Sequence, residues 1–256
     1  VASVAFLKIG QPLEYSISEL TFYTEQFPPC NFMKNGSLQG IAVELLTEIT
    51  DNMGNKITPN QIQLTTWKEA YQIIKNEDNV VLFSMAKLPE REQMFKWAGP
   101  LFTDTYVLFA KLDNNFTITN AQDLQEHKIG VITDSAGIFQ LLDAGIQESQ
   151  MVYDTNASRL IDKLKNGEID FWCYPQTVGR TITQQLTGDY YAFEIVFELS
   201  YYDYYYAFSK NVPDSTVNSF QQAIDSIKQE IDNTGKSSYE KILEHYIPTN
   251  EISNSP

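Results

Sequence analysis

Apolar and polar residues alternate from Leu20 to Thr24, the two-residue period of a strand with one buried face. The prolines of Phe27-Pro-Pro-Cys30 then force a turn, because neither can continue a ladder, and Asn35-Gly36 marks a second turn. After Gly40 the period lengthens: Ile41, Leu45, Ile49 and Met53 fall on one face of a helix that Gly54 ends. Gln61 to Thr65 reads as a strand, Trp67 to Lys75 as a helix and Val80 to Met85 as a buried strand. This β-α-β-α-β rhythm predicts a parallel or mixed sheet with helices on its faces. Residues 1–18 show no clear period and are expected to lie over the surface.

The pattern then repeats. Tyr106 to Ala110 is a strong strand, Lys111 to Asn120 is polar, and Lys128 to Thr133 is a strand again. Helices are predicted over Ala136 to Ala144 and Ser158 to Lys165, with Gly145 and Gly167 just past their ends, and a strand over Ile169 to Cys173. Tyr204 to Ser209 is a further strand. The tail carries two helical stripes: Val217, Phe220, Ile224, Ile227 and Ile231, ended by Gly235, then Tyr239, Ile242, Leu243 and Tyr246, ended by Pro248. Two α/β units joined by two long strands imply a chain that crosses over and returns, which would make a hinge.

Composition narrows the class. The 256 residues fit one large or two modest domains, and 43% hydrophobic content is ample for a packed interior. Fifteen tyrosines exceed what packing requires, so some are expected to line a half-polar cleft. A net charge of -15 argues against nucleic acid and anionic membranes as partners. Cys30, Cys173, His127 and His245 lack metal-ligand spacing, so no metal and no cofactor are expected. The two cysteines fall in different α/β units and are expected to be free thiols. No apolar run reaches the length of a membrane span. The chain opens at Val1 without a charged segment followed by an apolar one, so a signal peptide is either lacking or not included.

Several segments have a familiar order. Phe27-Pro-Pro-Cys-Asn-Phe32, Gly36 and Gly40-Ile-Ala-Val-Glu-Leu-Leu46 resemble the start of family 3 extracellular solute-binding proteins, the amino-acid-type receptors of ABC importers. Trp67-Lys-Glu-Ala-Tyr71 and Leu82-Phe-Ser-Met-Ala-Lys-Leu-Pro-Glu-Arg-Glu-Gln-Met-Phe-Lys-Trp97 resemble its central segment. Lys128-Ile-Gly-Val131, Lys165-Asn-Gly-Glu-Ile-Asp170 and Tyr206-Ala-Phe-Ser-Lys210 continue the resemblance over nearly the whole chain. It implies an α/β, type II periplasmic-binding-protein fold: lobe 1 from residues 1–105 and 207–256, lobe 2 from 106–206, joined by a two-strand hinge. It also implies a periplasmic or extracellular location, a small-molecule ligand, a membrane permease as partner and a monomeric receptor.

The resemblance assigns a site. Arg91 stands where the family clamps the ligand carboxylate, and a guanidinium offers a planar fork for two parallel hydrogen bonds. On the residues alone, Arg91 could equally be a surface arginine paired with Glu90 or Glu92. Ser84 and Ala86 align with strand-end positions giving a hydroxyl and a backbone amide; the plain alternative is strand packing. Phe27 and Trp67 align with aromatic walls, although Trp67 serves a core equally well. Glu25 could meet a cationic group or be a solvated acid. In Thr133-Asp-Ser-Ala136, Asp134 and Ser135 either face the ligand or cap the following helix. Ala136 replaces the family's frequent Thr, and no Asp lies near Pro175 to take an α-ammonium. Tyr174 and Gln176 could give neutral hydrogen bonds there, with Asp134 or Glu25 supplying charge.

The function expected is therefore capture of an amino acid or related carboxylate by hinge closure, with no catalytic residue. The alternatives are a dehydratase-like enzyme on the same fold, using Glu25, Asp134 or tyrosines, and the ligand-binding ectodomain of a sensor.

Overall fold

The computed structural model describes residues 16–247. In chain order it contains β1 (Thr21–Thr24), the hairpin β2 (Phe32–Lys34) and β3 (Ser37–Gln39), α1 (Ile41–Asn52), β4 (Ile62–Leu64), α2 (Trp67–Asn76), β5 (Val80–Ala86) and the single turn α3 (Pro89–Glu92). It continues with β6 (Lys96–Lys111), β7 (Ile129–Ile132), α4 (Ala136–Asp143), β8 (Met151–Asp154), α5 (Ala157–Asn166), β9 (Phe171–Pro175), α6 (Gln176–Thr187), β10 (Phe193–Phe208), α7 (Asp214–Gln229) and α8 (Ser238–Tyr246).

Eight of the strands join in the order β4-β1-β5-β10-β6-β9-β7-β8. Strands β4, β1 and β5 run parallel, as do β8, β7 and β9. Between these sets, β6 and β10 pair antiparallel over most of their 16 residues each. At the strand rise of roughly 3.3 Å per residue, this ribbon is about 50 Å long. The two parallel sets attach at opposite ends of it: β5 pairs with Tyr204–Phe208 of β10, and β9 with Tyr106–Phe109 of β6. Ala86, the last residue of β5, stands opposite Tyr204, and Pro175, the last of β9, opposite Tyr106. The carboxyl ends of both sets therefore converge near the middle of the ribbon.

Local chemistry explains the helices that frame this point. Thr66 and Glu69 form a reciprocal capping box that starts α2 with Trp67 as its first residue. Helix α5 buries Leu160, Ile161 and Leu164, carries Lys163 and Lys165 in its last turn, and ends at left-handed Gly167. Helix α1 buries Ile41, Leu45, Leu46 and Ile49. The tail returns to it: α7 and α8 both pack on α1, and the Gly40 amide donates to the Tyr246 hydroxyl at 3.2 Å.

The structure lengthens two expected strands. β6 begins at Lys96 rather than Tyr106, and β10 at Phe193 rather than Tyr204. Gly99-Pro100 lies where the β6–β10 register shifts, and the Gly99 amide donates to the Gln221 side chain instead of the ladder. Strand β8 and helix α6 have no counterpart in the periodic reading. Of residues 1–18, 1–15 lie outside the described residues, as does Pro248; Ile17 is fully buried rather than superficial. Cys30 and Cys173 are free and buried.

Candidate functional site

Where the strand ends converge, a narrow cavity, about 350 Å3 counting the open space at its mouth, is lined by Glu25, Phe27, Trp67, Ser84, Ala86, Arg91, Tyr106, Ile132, Ser135, Ala136, Tyr174 and Tyr204. Eight of the nine expected site residues therefore share one space; Asp134 does not line it. Gln176 opens α6 outside it.

Arg91 is the chemical centre. It is 2% exposed, which removes the reading as a surface arginine paired with Glu90 or Glu92. Its guanidinium carbon lies 5.1 Å from the Trp67 ring centroid and 4.9 Å from that of Tyr71, within cation–π range of both. Nη2 donates to the Asp134 carbonyl at 2.8 Å, and Nη1 makes a long 3.4 Å contact with the Ala86 carbonyl. Nε is buried with no hydrogen-bond partner. Burial lowers the Arg91 pKa from its ordinary value, partly offset by the Tyr71 and Tyr106 phenols. A buried guanidinium with an unmet donor has an unpaid desolvation cost that an anion would relieve.

Asp134 contributes differently from the expectation. Its backbone carbonyl, not its carboxylate, faces Arg91, and the same oxygen accepts from Trp67 Nε1 at 2.9 Å. Ser135 precedes α4 without a side-chain cap bond, so the capping alternative is not realised and its side chain lines the cavity instead. Backbone strain marks both rims. The non-glycine residues with positive φ are Asn35, Asn79, Ser84 and Asp134 among those described. Asparagine and aspartate tolerate that region, so Asp134 at +59° is little strained, whereas Ser84 at +61° pays to present its group at the site.

Around Arg91 the walls are aromatic and neutral. Phe27 packs 6.1 Å from Tyr174 and 5.5 Å from Tyr204, which stacks on Phe102 at 4.6 Å. Burial raises the pKa values of Tyr106, Tyr174 and Tyr204, so these phenols stay protonated. Tyr106 and Tyr204 were not singled out beforehand; the excess of tyrosine and the Tyr201–Tyr206 run were the available signal. Ser84 hydrogen-bonds buried Asn31, whose Nδ2 donates to the Glu25 carbonyl at 2.7 Å, tying β5 to the end of β1. Glu25 is half-buried, and desolvation pushes its carboxyl up to about 8, against a lowering by Arg91.

This geometry is that of an α/β protein with a candidate ligand cavity at the carboxyl ends of two strand sets. The sequence matches the bacterial extracellular solute-binding proteins, family 3, over residues 20–249, and the chain belongs to that family. No curated protein matches the sequence. Among solved structures, the chain resembles an ancestral arginine-binding protein bound to arginine, at 22% identity and a TM-score of 0.74, over 91% of this chain and 100% of that one. It also resembles a histidine kinase sensor domain with similarity to periplasmic binding proteins, at 20% identity and a TM-score of 0.76, over 89% and 96%. A third is the arginine-, lysine-, histidine-binding protein ArtJ from Geobacillus stearothermophilus, at 18% identity and a TM-score of 0.72, over 93% and 96%. These likenesses establish the periplasmic-binding-protein fold. No described helix is long and apolar enough to cross a membrane.

Proposed function

We propose that this chain is a periplasmic or cell-surface receptor that captures a small carboxylate-bearing metabolite, an amino acid or related compound, and delivers it to the permease of an ABC importer. The observation that carries this reading is the buried, unpaired Nε of Arg91 in a cavity between two strand sets. A carboxylate there would meet a fork held beside the stacked Trp67–Tyr71 pair, within cation–π range of both rings. The Ser135 hydroxyl and the start of α4 lie on the opposite wall, where helix amides favour an anion.

Residues 1–105 and 207–256 form one lobe, and 106–206 the other, with β6 and β10 as the hinge. The ligand first meets the lobe carrying Arg91, Ser84 and Trp67. Closure then brings up the Asp134–Ala136 loop, and the bonds from Trp67 and Arg91 to the Asp134 carbonyl hold the halves together. Only a difference in ligand affinity between open and closed forms drives this shift. The receptor works as a monomer, needs no cofactor and leaves its ligand chemically unchanged. Glu25 is the one carboxylic acid lining the cavity, and no histidine, lysine or cysteine lines it to activate the Ser84 or Ser135 hydroxyl. A sensor ectodomain on the same clamshell is the second reading, supported by the likeness to a histidine kinase sensor domain.

A thermal-shift screen of amino acids and small carboxylates tests the proposal. A ligand at a hundredfold excess over its Kd should add about 2.7 kcal/mol of stability. Arg91→Ala should abolish the shift for every carboxylate hit; unchanged affinity would contradict the assignment.

A further inference from the structure

A second chamber adjoins the first. Including its mouth it encloses about 860 Å3, against about 350 Å3 for the cavity at Arg91. Glu25, Trp67, Ile132 and Tyr174 line both, so the two spaces abut at those residues, the waist between them. The walls of the inner part crowd close and leave room for a small head group. The outer part is bounded by Thr65 and Thr66 before α2, Ala157 and Ser158 at the start of α5, and Ile182 and Leu186 on α6.

The charge of this lining is informative. Glu25, at the waist, is its sole ionisable acid or base besides the Tyr174 phenol. A ligand arm ending in a charge would find no counter-ion at the far end, whereas an uncharged arm would find neutral hydrogen-bonding groups and apolar surface. The Ser158 hydroxyl and the Gln185 amide make no hydrogen bond to other described residues, and Leu186 at the rim is 48% exposed. Burial keeps the Glu25 carboxyl in its acid form near neutral pH, and a neutral carboxyl donates to an amide carbonyl.

Resting on the carboxylate reading above, we propose that the ligand is an N-acylated amino acid: its carboxylate lies at Arg91, its amide passes Glu25, and its uncharged acyl arm fills the outer chamber. An acylated nitrogen carries no charge and needs no counter-ion, which agrees with three neutral phenols and a single acid around it.

Titration calorimetry of the full chain tests this with matched probes: free L-amino acids, their N-acetyl and N-butyryl derivatives, and the corresponding glycyl dipeptides. The N-butyryl derivative is expected to bind at least about tenfold more tightly than its free amino acid, about 1.4 kcal/mol. Ala157→Trp and, independently, exposed Gln185→Trp fill the outer chamber and should erase that gain while leaving the melting temperature of the unliganded chain within a few degrees. Free amino acids or dipeptides binding as tightly as the acylated probes would overturn the inference, as would a gain that survives both tryptophan variants. Arg91→Ala separates the two claims. Loss of all binding in Arg91→Ala together with a preference for free amino acids overturns the inference alone. Acylated-probe binding that persists in Arg91→Ala overturns the carboxylate reading beneath it, and silence from every probe overturns both.

Discussion

The Arg91 guanidinium donates through Nη2 to the carbonyl of Asp134 at 2.8 Å, although the two residues stand 43 positions apart and belong to opposite strand sets. The Trp67 indole donates to the same oxygen at 2.9 Å. Two donors from one side of the cavity thus converge on one acceptor from the other, presented by a backbone at φ +59°. This convergence joins the two walls of the cavity through a single carbonyl oxygen.

Removing the indole donor should separate these roles. Trp67→Phe keeps an aromatic wall beside Arg91 but loses one bond across the gap, worth about 1 kcal/mol. Ligand affinity should fall roughly fivefold, while small-angle scattering of the unliganded chain should show a larger radius of gyration. An unchanged radius and unchanged affinity would mean that this bond does not govern closure.

Arg91 is expected to be a stability liability in the unliganded protein. Its charge is buried and its Nε has no partner. Replacing a poorly compensated buried charge by an apolar side chain of similar length is often neutral or stabilising by about 1–4 kcal/mol. Arg91→Met should therefore equal or exceed the parent in unfolding midpoint while losing carboxylate binding. Arg91→Lys keeps the charge but not the fork, and should weaken binding at least about tenfold. A marked loss of stability in Arg91→Met would indicate a structural role instead.

Acid groups near the site should give stability an unusual pH slope. The Glu25 carboxyl is held at about 8 by burial, above its ordinary 4.5, and Asp104 at about 6, above 3.8. Asp104 is buried while accepting from the Thr177 and Val178 amides at the start of α6, which moderates its rise. In each case the native state keeps a proton that the unfolded chain releases. Their contribution is fully present below the unfolded pKa and is lost as pH rises through the folded one. The Glu25 part should fade between about pH 4.5 and 8, and the Asp104 part between about pH 4 and 6. In Glu25→Gln the melting temperature should flatten between pH 6 and 8 relative to the parent; parallel curves would contradict the burial of this carboxyl.

Gly40 offers a test of the fold that carries the site. Its φ is +127°, and a Cβ there would lie 2.4 Å from the Cys30 carbonyl oxygen, a backbone atom with no room to move. Gly40→Ala should cost about 2 kcal/mol or more, through strain and overlap together. For a chain of this size that is a fall of roughly 4–8 °C in Tm. A fall of a degree or less would show that the Phe27–Cys30 turn and α1 adjust independently.

Much of this was legible in the residues, for identifiable reasons. Helices α1 and α5 announce themselves because an apolar stripe ends at a glycine, Gly54 or Gly167. Arg91 is legible only through its surrounding motif, since Glu90 and Glu92 beside it look like surface partners. Helix α6 was not found: Gln176, Thr177, Thr181 and Gln184 dilute its stripe of Val178, Ile182 and Thr183. The first half of β10 hides because Glu198 and Ser200 face solvent on a two-stranded stretch with little burial. The contribution of Asp134 was hidden more deeply, because a carbonyl direction set by a left-handed backbone has no side-chain signature. Tyr106 and Tyr204 become neighbours only through the β6–β10 pairing, which no local period encodes.

The most direct test of the central claim is a crystal structure of the chain with a bound carboxylate taken from the thermal-shift screen. The expected result is a carboxylate oxygen within about 3 Å of Arg91 Nε, inside the cavity shared by Trp67, Ser84 and Ser135. A ligand seated elsewhere, with Arg91 Nε still lacking any partner, would contradict the account.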